Sequence, residues 1–97
     1  MSMTEKTVER RLTDGVRRQG GLCYKFVSPG NDGVPDRIIV TPAGEVWFVE
    51  LKTTVGRLSA RQKLQISRLQ ANHANVAVLY GAEDVDRFLK ALGGDAV

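Results

Sequence analysis

The amino-acid sequence predicts an α/β protein in which a mixed four-stranded sheet is flanked by helices, with its elements in the order αβββαβα. A helical pattern precedes three β-rich segments that are separated by turn sequences. A second helical pattern then leads to a fully apolar fourth strand and a last helix. An antiparallel set of strands followed by a crossover helix and a further strand forms a mixed sheet, which helices cover.

Length and composition limit the class of protein. The 97 residues predict a single domain over residues 1–97, because a domain usually has roughly 100–200 residues. The 42% hydrophobic and 26% charged content is typical of a soluble globular protein. No apolar run approaches the roughly 20 residues that span a bilayer. Residues 1–11 lack the apolar core of a signal peptide, so we expect a cytoplasmic protein without a membrane partner.

The chain has one cysteine, Cys23, and one histidine, His73. A single cysteine cannot form an internal disulfide, and one cysteine and one histidine are too few to build a metal centre from clusters of these residues. Any bound metal must therefore have oxygen ligands. We interpret Cys23 as a small apolar strand residue, and we expect no small-molecule cofactor.

The first helix is predicted over residues 4–19. Its apolar positions recur at i, i+4 and i+8, and they are Val8, Leu12 and Val16. Thr4 can cap the start of the helix, and Gly20-Gly21 ends it.

Three strands follow, over residues 22–27, 36–41 and 45–52. Residues 28–35 consist of turn formers. The Pro-Ala-Gly loop 42–44 predicts a three-residue hairpin with glycine where a left-handed residue is needed. Both strands of the hairpin are apolar on both faces, which predicts that the hairpin lies inside the sheet rather than at its edge.

The second half of the chain begins with a capping-box sequence. Ser59-Ala60-Arg61-Gln62 predicts a helix that runs to about Asn72. Residues 75–80 form the fourth strand, and residues 83–92 form the last helix. The inward positions of that helix are Val85, Phe88, Leu89 and Leu92.

Two carboxylates face each other in the predicted hairpin. The loop length sets Asp36 opposite Glu50, where Cβ atoms of opposed residues lie about 4.5–5.5 Å apart. Lys52 points to the same face as Glu50, and Leu51 to the other. The two acids repel each other, so part-burial raises one pKa or requires a counter-charge. A divalent cation would resolve this conflict, and so would ordinary ion pairs with Arg37, Lys25 or Lys52. A one-residue bulge would change this register.

The residues around this pair resemble a known nuclease signature. Pro35-Asp36, followed by thirteen residues and Glu50-Leu51-Lys52, is similar to the pattern of the PD-(D/E)XK nucleases. The wider similarity includes Val8-Glu9, Gly20-Gly21, Lys25, Gly33-Val34, Phe48-Val49 and Leu58-Ser59-x-x-Gln62. This combination resembles the small stand-alone VRR-NUC domains of phages and bacteria. The resemblance implies a restriction-endonuclease-like core and an intracellular, bacterial or phage-encoded protein.

The resemblance also implies a metal site. Asp36 and Glu50 would be ligands of Mg²⁺ or Mn²⁺, with the Leu51 carbonyl as a third ligand. Glu9 matches the first-helix carboxylate of the family and would join the site. Glu5 lies on the same side of that helix and is its rival, and a first-turn acid is also favoured by the helix dipole alone.

Further residues are assigned through the same resemblance. Lys52 would orient or help to deprotonate the attacking water, or neutralise charge that develops on the phosphate. Gln62 is open to a capping role, a catalytic role, or both. Lys25 would contact phosphate or pair with Asp36. Asp32 would be a turn residue or a water-mediated ligand, and we favour the turn.

The distribution of charge favours an anionic partner. Twelve of the fourteen lysine and arginine residues lie between residues 6 and 68, and the net charge is +3. The predicted outer faces of the first two helices carry two basic rows, which comprise Lys6, Arg10 and Arg17, and Arg57, Arg61 and Arg68. Solvated helix faces have the same pattern, but rows that flank a metal site suit contacts with DNA phosphates.

A stripe on the second helix predicts a partner surface, and it comprises Ala60, Leu64, Ser67 and Ala71. With the resemblance, it leads us to expect a homodimeric, Mg²⁺- or Mn²⁺-dependent DNA endonuclease that hydrolyses phosphodiester bonds in branched, Holliday-type junctions. The alternatives are a non-specific or restriction-like nickase and a catalytically silent DNA-binding module. The silent module is disfavoured because a pure binding protein has no use for opposed carboxylates.

Overall fold

The computed structural model describes residues 4–93, so the first three and last four residues of the domain predicted over residues 1–97 lie outside it. The elements are α1 (Glu5–Arg18), β1 (Leu22–Lys25), β2 (Arg37–Val40), β3 (Val46–Lys52), α2 (Ala60–Ala71), β4 (Asn75–Tyr80) and α3 (Gly81–Gly93). The predicted α/β class and order of elements are confirmed. No helix in this range is long and apolar enough to cross a membrane.

The four strands form one mixed sheet in the order β1-β2-β3-β4. The pairs β1–β2 and β2–β3 are antiparallel, whereas β3 and β4 are parallel because α2 returns the chain to the same end of the sheet. The β2–β3 hairpin therefore lies in the middle of the sheet, as predicted. Gly44, at φ +90°, closes the hairpin and donates its N–H to the Thr41 carbonyl at 2.9 Å.

The predicted helix caps are present. Thr4 Oγ1 accepts the N–H of Thr7 at 3.2 Å, and Ser59 and Gln62 form both hydrogen bonds of the capping box. At the other end of α1, Gly20 and Gly21 donate their N–H groups to carbonyls of the last turn. These local signals fix where the helices start and stop.

Some boundaries differ from the prediction. β1 is two residues shorter at its C-terminal end, because after the hydrogen bond from Phe26 N–H to the Asp36 carbonyl (2.8 Å) the chain enters a turn. α3 begins two residues earlier than predicted, at Gly81. There the Asp84 carboxylate accepts the N–H of Tyr80 at 2.8 Å, which ties the first turn of α3 to the end of β4.

The main core lies between one face of the sheet and the layer formed by α1 and α3. Its buried members are Val8, Leu12, Val16, Ile39, Val49, Leu51, Leu79, Val85 and Phe88. Trp47 packs edge-to-face on Phe88, with ring centroids 5.3 Å apart. The odd-numbered residues of β3 point into this core. Since strand side chains alternate, Glu50 and Lys52 point to the opposite face, which α2 covers.

Candidate active site

The strand register brings Asp36 next to Glu50. Arg37 of β2 pairs with Val49 of β3 in the last rung of their antiparallel ladder. Asp36 precedes Arg37 in the chain, so it lies one position beyond this last rung and across from Glu50. Lys52 lies two residues beyond Glu50 and on the same face of β3. The arrangement inferred from the hairpin loop is therefore the arrangement that the fold produces.

Glu50 is a buried carboxylate, with 4% of its surface exposed. Its Oε2 accepts a hydrogen bond from Gln62 Nε2 at 3.2 Å and lies 3.6 Å from the ammonium nitrogen of Lys52. Burial raises the pKa of Glu50 to about 7, and the charge of Asp36 adds to this rise, which Lys52 opposes. The pair therefore resists carrying two negative charges at once.

Asp36 lies where β2 begins, half-buried at the end of the sheet. Burial raises its pKa, and the N–H of Leu51, 3.4 Å from Oδ1, opposes the rise. In an extended strand, the N–H and the carbonyl of one residue point to the same side. The Leu51 carbonyl is therefore directed to the side of β3 on which Asp36 lies, beyond the last rung of the β2–β3 ladder.

The acids of α1 approach this pair from the core side of the sheet. Glu9 Oε2 forms an ion pair with Arg37 Nη2 at 3.0 Å, and the Arg37 side chain is 13% exposed. In addition to burial, the charge of Glu9 raises the pKa of Asp36, and that of Glu5 raises the pKa of Glu50. Within residues 4–93, no three Asp, Glu, His or Cys side chains converge closely enough to hold a metal ion together.

The donor set of the pair suits a hard divalent cation. Mg²⁺ usually keeps several waters and binds to one or two carboxylates together with substrate phosphates, rather than in a cage made only of protein ligands. Asp36 and Glu50 supply two carboxylates whose mutual repulsion a cation would relieve. The residues present therefore fit such an ion without requiring a third carboxylate.

Comparisons with known proteins place the chain in a family. The model of the VRR-NUC domain matches residues 6–83. A protein named "Putative nuclease p44", from Acyrthosiphon pisum secondary endosymbiont phage 1, is 40% identical over 88 residues, which cover 91% of this chain and 94% of that protein. A solved structure described as a VRR-NUC domain superposes with a TM-score of 0.84 at 29% identity, and covers 89% of this chain and 94% of its own.

The chain belongs to the VRR-NUC family. The family, the fold and the nuclease class expected from the sequence are thereby confirmed. The matched segment contains Asp36, Glu50 and Lys52, together with Glu9 and Gln62, whereas Glu5 lies just before it. In this VRR-NUC domain the five side chains therefore all come from the segment that carries the family likeness.

Three residues around the carboxylate pair have contacts that the sequence did not predict. Arg37 holds Glu9, and its own Nε is buried without a hydrogen-bond partner within residues 4–93. Gly33, at φ +91°, lies so close to α2 that a Cβ would be 2.7 Å from the carbonyl carbon of Arg61. Gln65 donates to the carbonyl of Asp32 at 3.3 Å. Only the glycine had a sequence signal, since Gly33 precedes the Pro-Asp motif.

Asp32 and Lys25 lie at the margin of the site. Asp32 is an exposed turn residue, which agrees with the favoured interpretation. Lys25 is exposed and pairs with Arg37 across the β1–β2 ladder.

The predicted DNA-contacting residues are at the surface. Five were proposed, and all five are exposed: Lys25, Arg10, Arg17, Arg57 and Arg61. None of the five takes part in an ion pair with another residue of the described chain. Their charges therefore remain available to an anionic partner.

The pKa of Glu50 predicts how the metal-free protein responds to pH. This pKa is about 7 in the folded protein, above the ordinary value of 4.5, so the folded state binds more protons than the unfolded state between these values. The stabilising contribution is complete below pH 4.5 and is lost as the pH rises through 7. We expect the free energy of unfolding to fall, relative to that of Glu50→Gln, by at most about 1.4 kcal/mol per pH unit in this window.

Urea unfolding at a series of pH values measures this difference. Glu45→Gln is the matched control, because Glu45 is an exposed glutamate just before β3, at the opposite end of that strand from Glu50. It should follow the wild-type profile. Parallel profiles for the wild type and Glu50→Gln between pH 4.5 and 7.5 would contradict the raised pKa.

Proposed function

We propose that this single VRR-NUC domain is a divalent-metal-dependent DNA endonuclease that hydrolyses phosphodiester bonds. The observation that carries the proposal is the pair formed by the half-buried Asp36 and the buried Glu50. Burial, and then the charge of Asp36, raises the pKa of Glu50 beside the ammonium group of Lys52. Proteins rarely keep two neighbouring carboxylates at a buried site without a functional reason. The proposed ligands of Mg²⁺ or Mn²⁺ are Asp36, Glu50 and the Leu51 carbonyl.

The proposed site residues have different roles in hydrolysis. When bound, the cation polarises the phosphate and lowers the pKa of its water. Glu50 must be ionised to act as a ligand, and the donors from Gln62 and Lys52 favour that form. Lys52, next to Glu50, would then hold the attacking water or neutralise charge that develops on the phosphate.

Glu9 is proposed as a further ligand that changes partners. It is paired with Arg37 at 3.0 Å, and its charge acts on Asp36. To reach the cation, Glu9 would exchange the Arg37 guanidinium for the metal. Arg37 would then be free to contact a phosphate, which guanidinium groups bind well. Glu5 remains the rival carboxylate.

DNA is the proposed substrate. Arg10 and Arg17 on α1, and Arg57 and Arg61 near the start of α2, offer exposed positive charge on both sides of the sheet. Such charges bind phosphates without reading bases, so recognition would depend on the shape of the DNA backbone.

A homodimer that acts on branched DNA is the proposed assembly. The face of the sheet opposite the core bears exposed apolar side chains, which α2 leaves uncovered: Leu22, Tyr24 and Val46. Leu64 on α2 is 42% exposed, and the small residues of the predicted stripe around it are exposed too. A second copy that covers this face would give two active sites, as symmetrical cleavage of a four-way junction requires.

Cleavage of labelled DNA tests the enzyme class and its preference. With Mg²⁺ or Mn²⁺, the protein should cut a four-way junction in preference to a flap or a linear duplex. Lys52→Ala should lower the cleavage rate at least about 100-fold, because one stabilising charge at a reacting phosphate contributes roughly this much. Its binding to the junction should be almost unchanged.

Lys63→Ala is the matched control for this assay, since Lys63 is an exposed lysine on α2. It should cut at the wild-type rate. Equal cutting of all three DNAs would support the non-specific nickase. Binding without cleavage in either metal would support the silent module and contradict the proposed enzyme.

Mass measurement in solution tests the dimer. The wild type should have twice the mass of one chain. Tyr24→Arg should give monomers, because it would bring two cations together near a symmetric apolar interface. Ala91→Arg, at an exposed position of α3 in the opposite layer, should remain dimeric. A monomeric wild type at micromolar concentration would contradict the proposed assembly.

A further inference from the structure

The side-chain amide of Gln62 forms one hydrogen bond through its oxygen and another through its nitrogen. Its Oε1 accepts the backbone N–H of Ser59 at 2.9 Å, while its Nε2 donates to Glu50 Oε2 at 3.2 Å. The hydroxyl of Ser59 completes the capping box by accepting the N–H of Gln62 at 3.1 Å. Because the cap occupies the amide oxygen, the amide nitrogen must face Glu50.

The next turn of α2 contacts the segment that leads to Asp36. Gln65 is buried, and its Nε2 donates to the Asp32 carbonyl at 3.3 Å. Gly33, one residue further on, touches the backbone of Arg61, where there is no room for a side chain. The same two turns of one helix thus contact both segments that carry the carboxylates.

We propose that the first two turns of α2 act as a brace that sets the separation and orientation of Asp36 and Glu50. Ser59 and Gln65 are positioning residues in this brace, and Gln62 positions Glu50 rather than touching the cation or the substrate. This role rests on the proposed metal-dependent function, since its purpose is to hold two repelling groups ready for a cation. The side chains of Ser59, Gln62 and Gln65 connect the cap of α2 to the active site.

Physical chemistry gives the brace a measurable effect. Loss of the hydrogen bond that fixes the orientation of a metal ligand typically lowers metal affinity about 10–100-fold. A capping residue that acts only locally would lower the stability of the helix and leave metal affinity unchanged. Metal affinity and stability therefore distinguish a brace from a simple cap.

The test compares five variants of the full chain. Mn²⁺ affinity is measured by calorimetry at pH 8, and stability by urea unfolding. Gln62→Met should weaken Mn²⁺ binding about tenfold or more, because Gln62 donates to a proposed ligand. Gln65→Met should weaken it less, because Gln65 acts on Asp36 only through the segment that begins at Asp32. Ser59→Ala should weaken it by a smaller factor, and Ser59→Thr, which keeps the cap, should restore it. Gln70→Met is the control, because Gln70 is exposed on the same helix, and it should bind Mn²⁺ as the wild type does.

Mn²⁺ affinities of Gln62→Met and Gln65→Met within twofold of the Gln70→Met value would overturn the brace. If the wild type itself binds no Mn²⁺, the proposed metal-dependent function fails, and the brace is then judged in the metal-free protein. There, the side-chain amide protons of Gln62 should exchange with water more slowly than those of Gln70 in NMR spectra, and Ser59→Ala should speed their exchange. Equal rates for the two glutamines would overturn the brace independently of any metal.

Discussion

Asp36 and Glu50, two carboxylates held side by side at one end of the sheet, form an unfavourable interaction around which the other residues of the candidate site are arranged. Asp36 and Glu50 are adjacent because a three-residue loop fixes the register of β2 and β3. Burial makes their shared ionisation unfavourable, and the pKa of Glu50 rises to about 7. The neighbouring groups offset only part of this cost: Gln62 and Lys52 at Glu50, and the Leu51 N–H at Asp36.

The two faces of the sheet have different roles. One face is packed against α1 and α3 and contributes to the apolar core. On the other face, α2 covers part of the sheet and contacts the candidate site. Alternation along β3 delivers Val49 and Leu51 to the core and Glu50 and Lys52 to the site. One strand thus places core side chains and candidate site side chains at alternate positions, as a preorganised site would require.

Local patterns made most of the fold and the centre of the site predictable. The Pro-Ala-Gly loop determined the hairpin register, and with it the position of Asp36 across from Glu50. The capping box located the start of α2. The ion pair of Glu9 with Arg37 and the contact of Gln65 with Asp32 were not predictable, because they join segments far apart in sequence. Nor could periodicity reveal that α2 approaches Gly33 within backbone contact.

One divalent cation is proposed to bind between the carboxylates of Asp36 and Glu50. Crystals of the protein soaked in Mn²⁺ above pH 7.5, where Glu50 is ionised, allow an anomalous difference map at the manganese edge. We expect a peak within bonding distance of carboxylate oxygens from both Asp36 and Glu50, and near the Leu51 carbonyl. A map with no peak there, and with the two side chains turned away from each other, would contradict it.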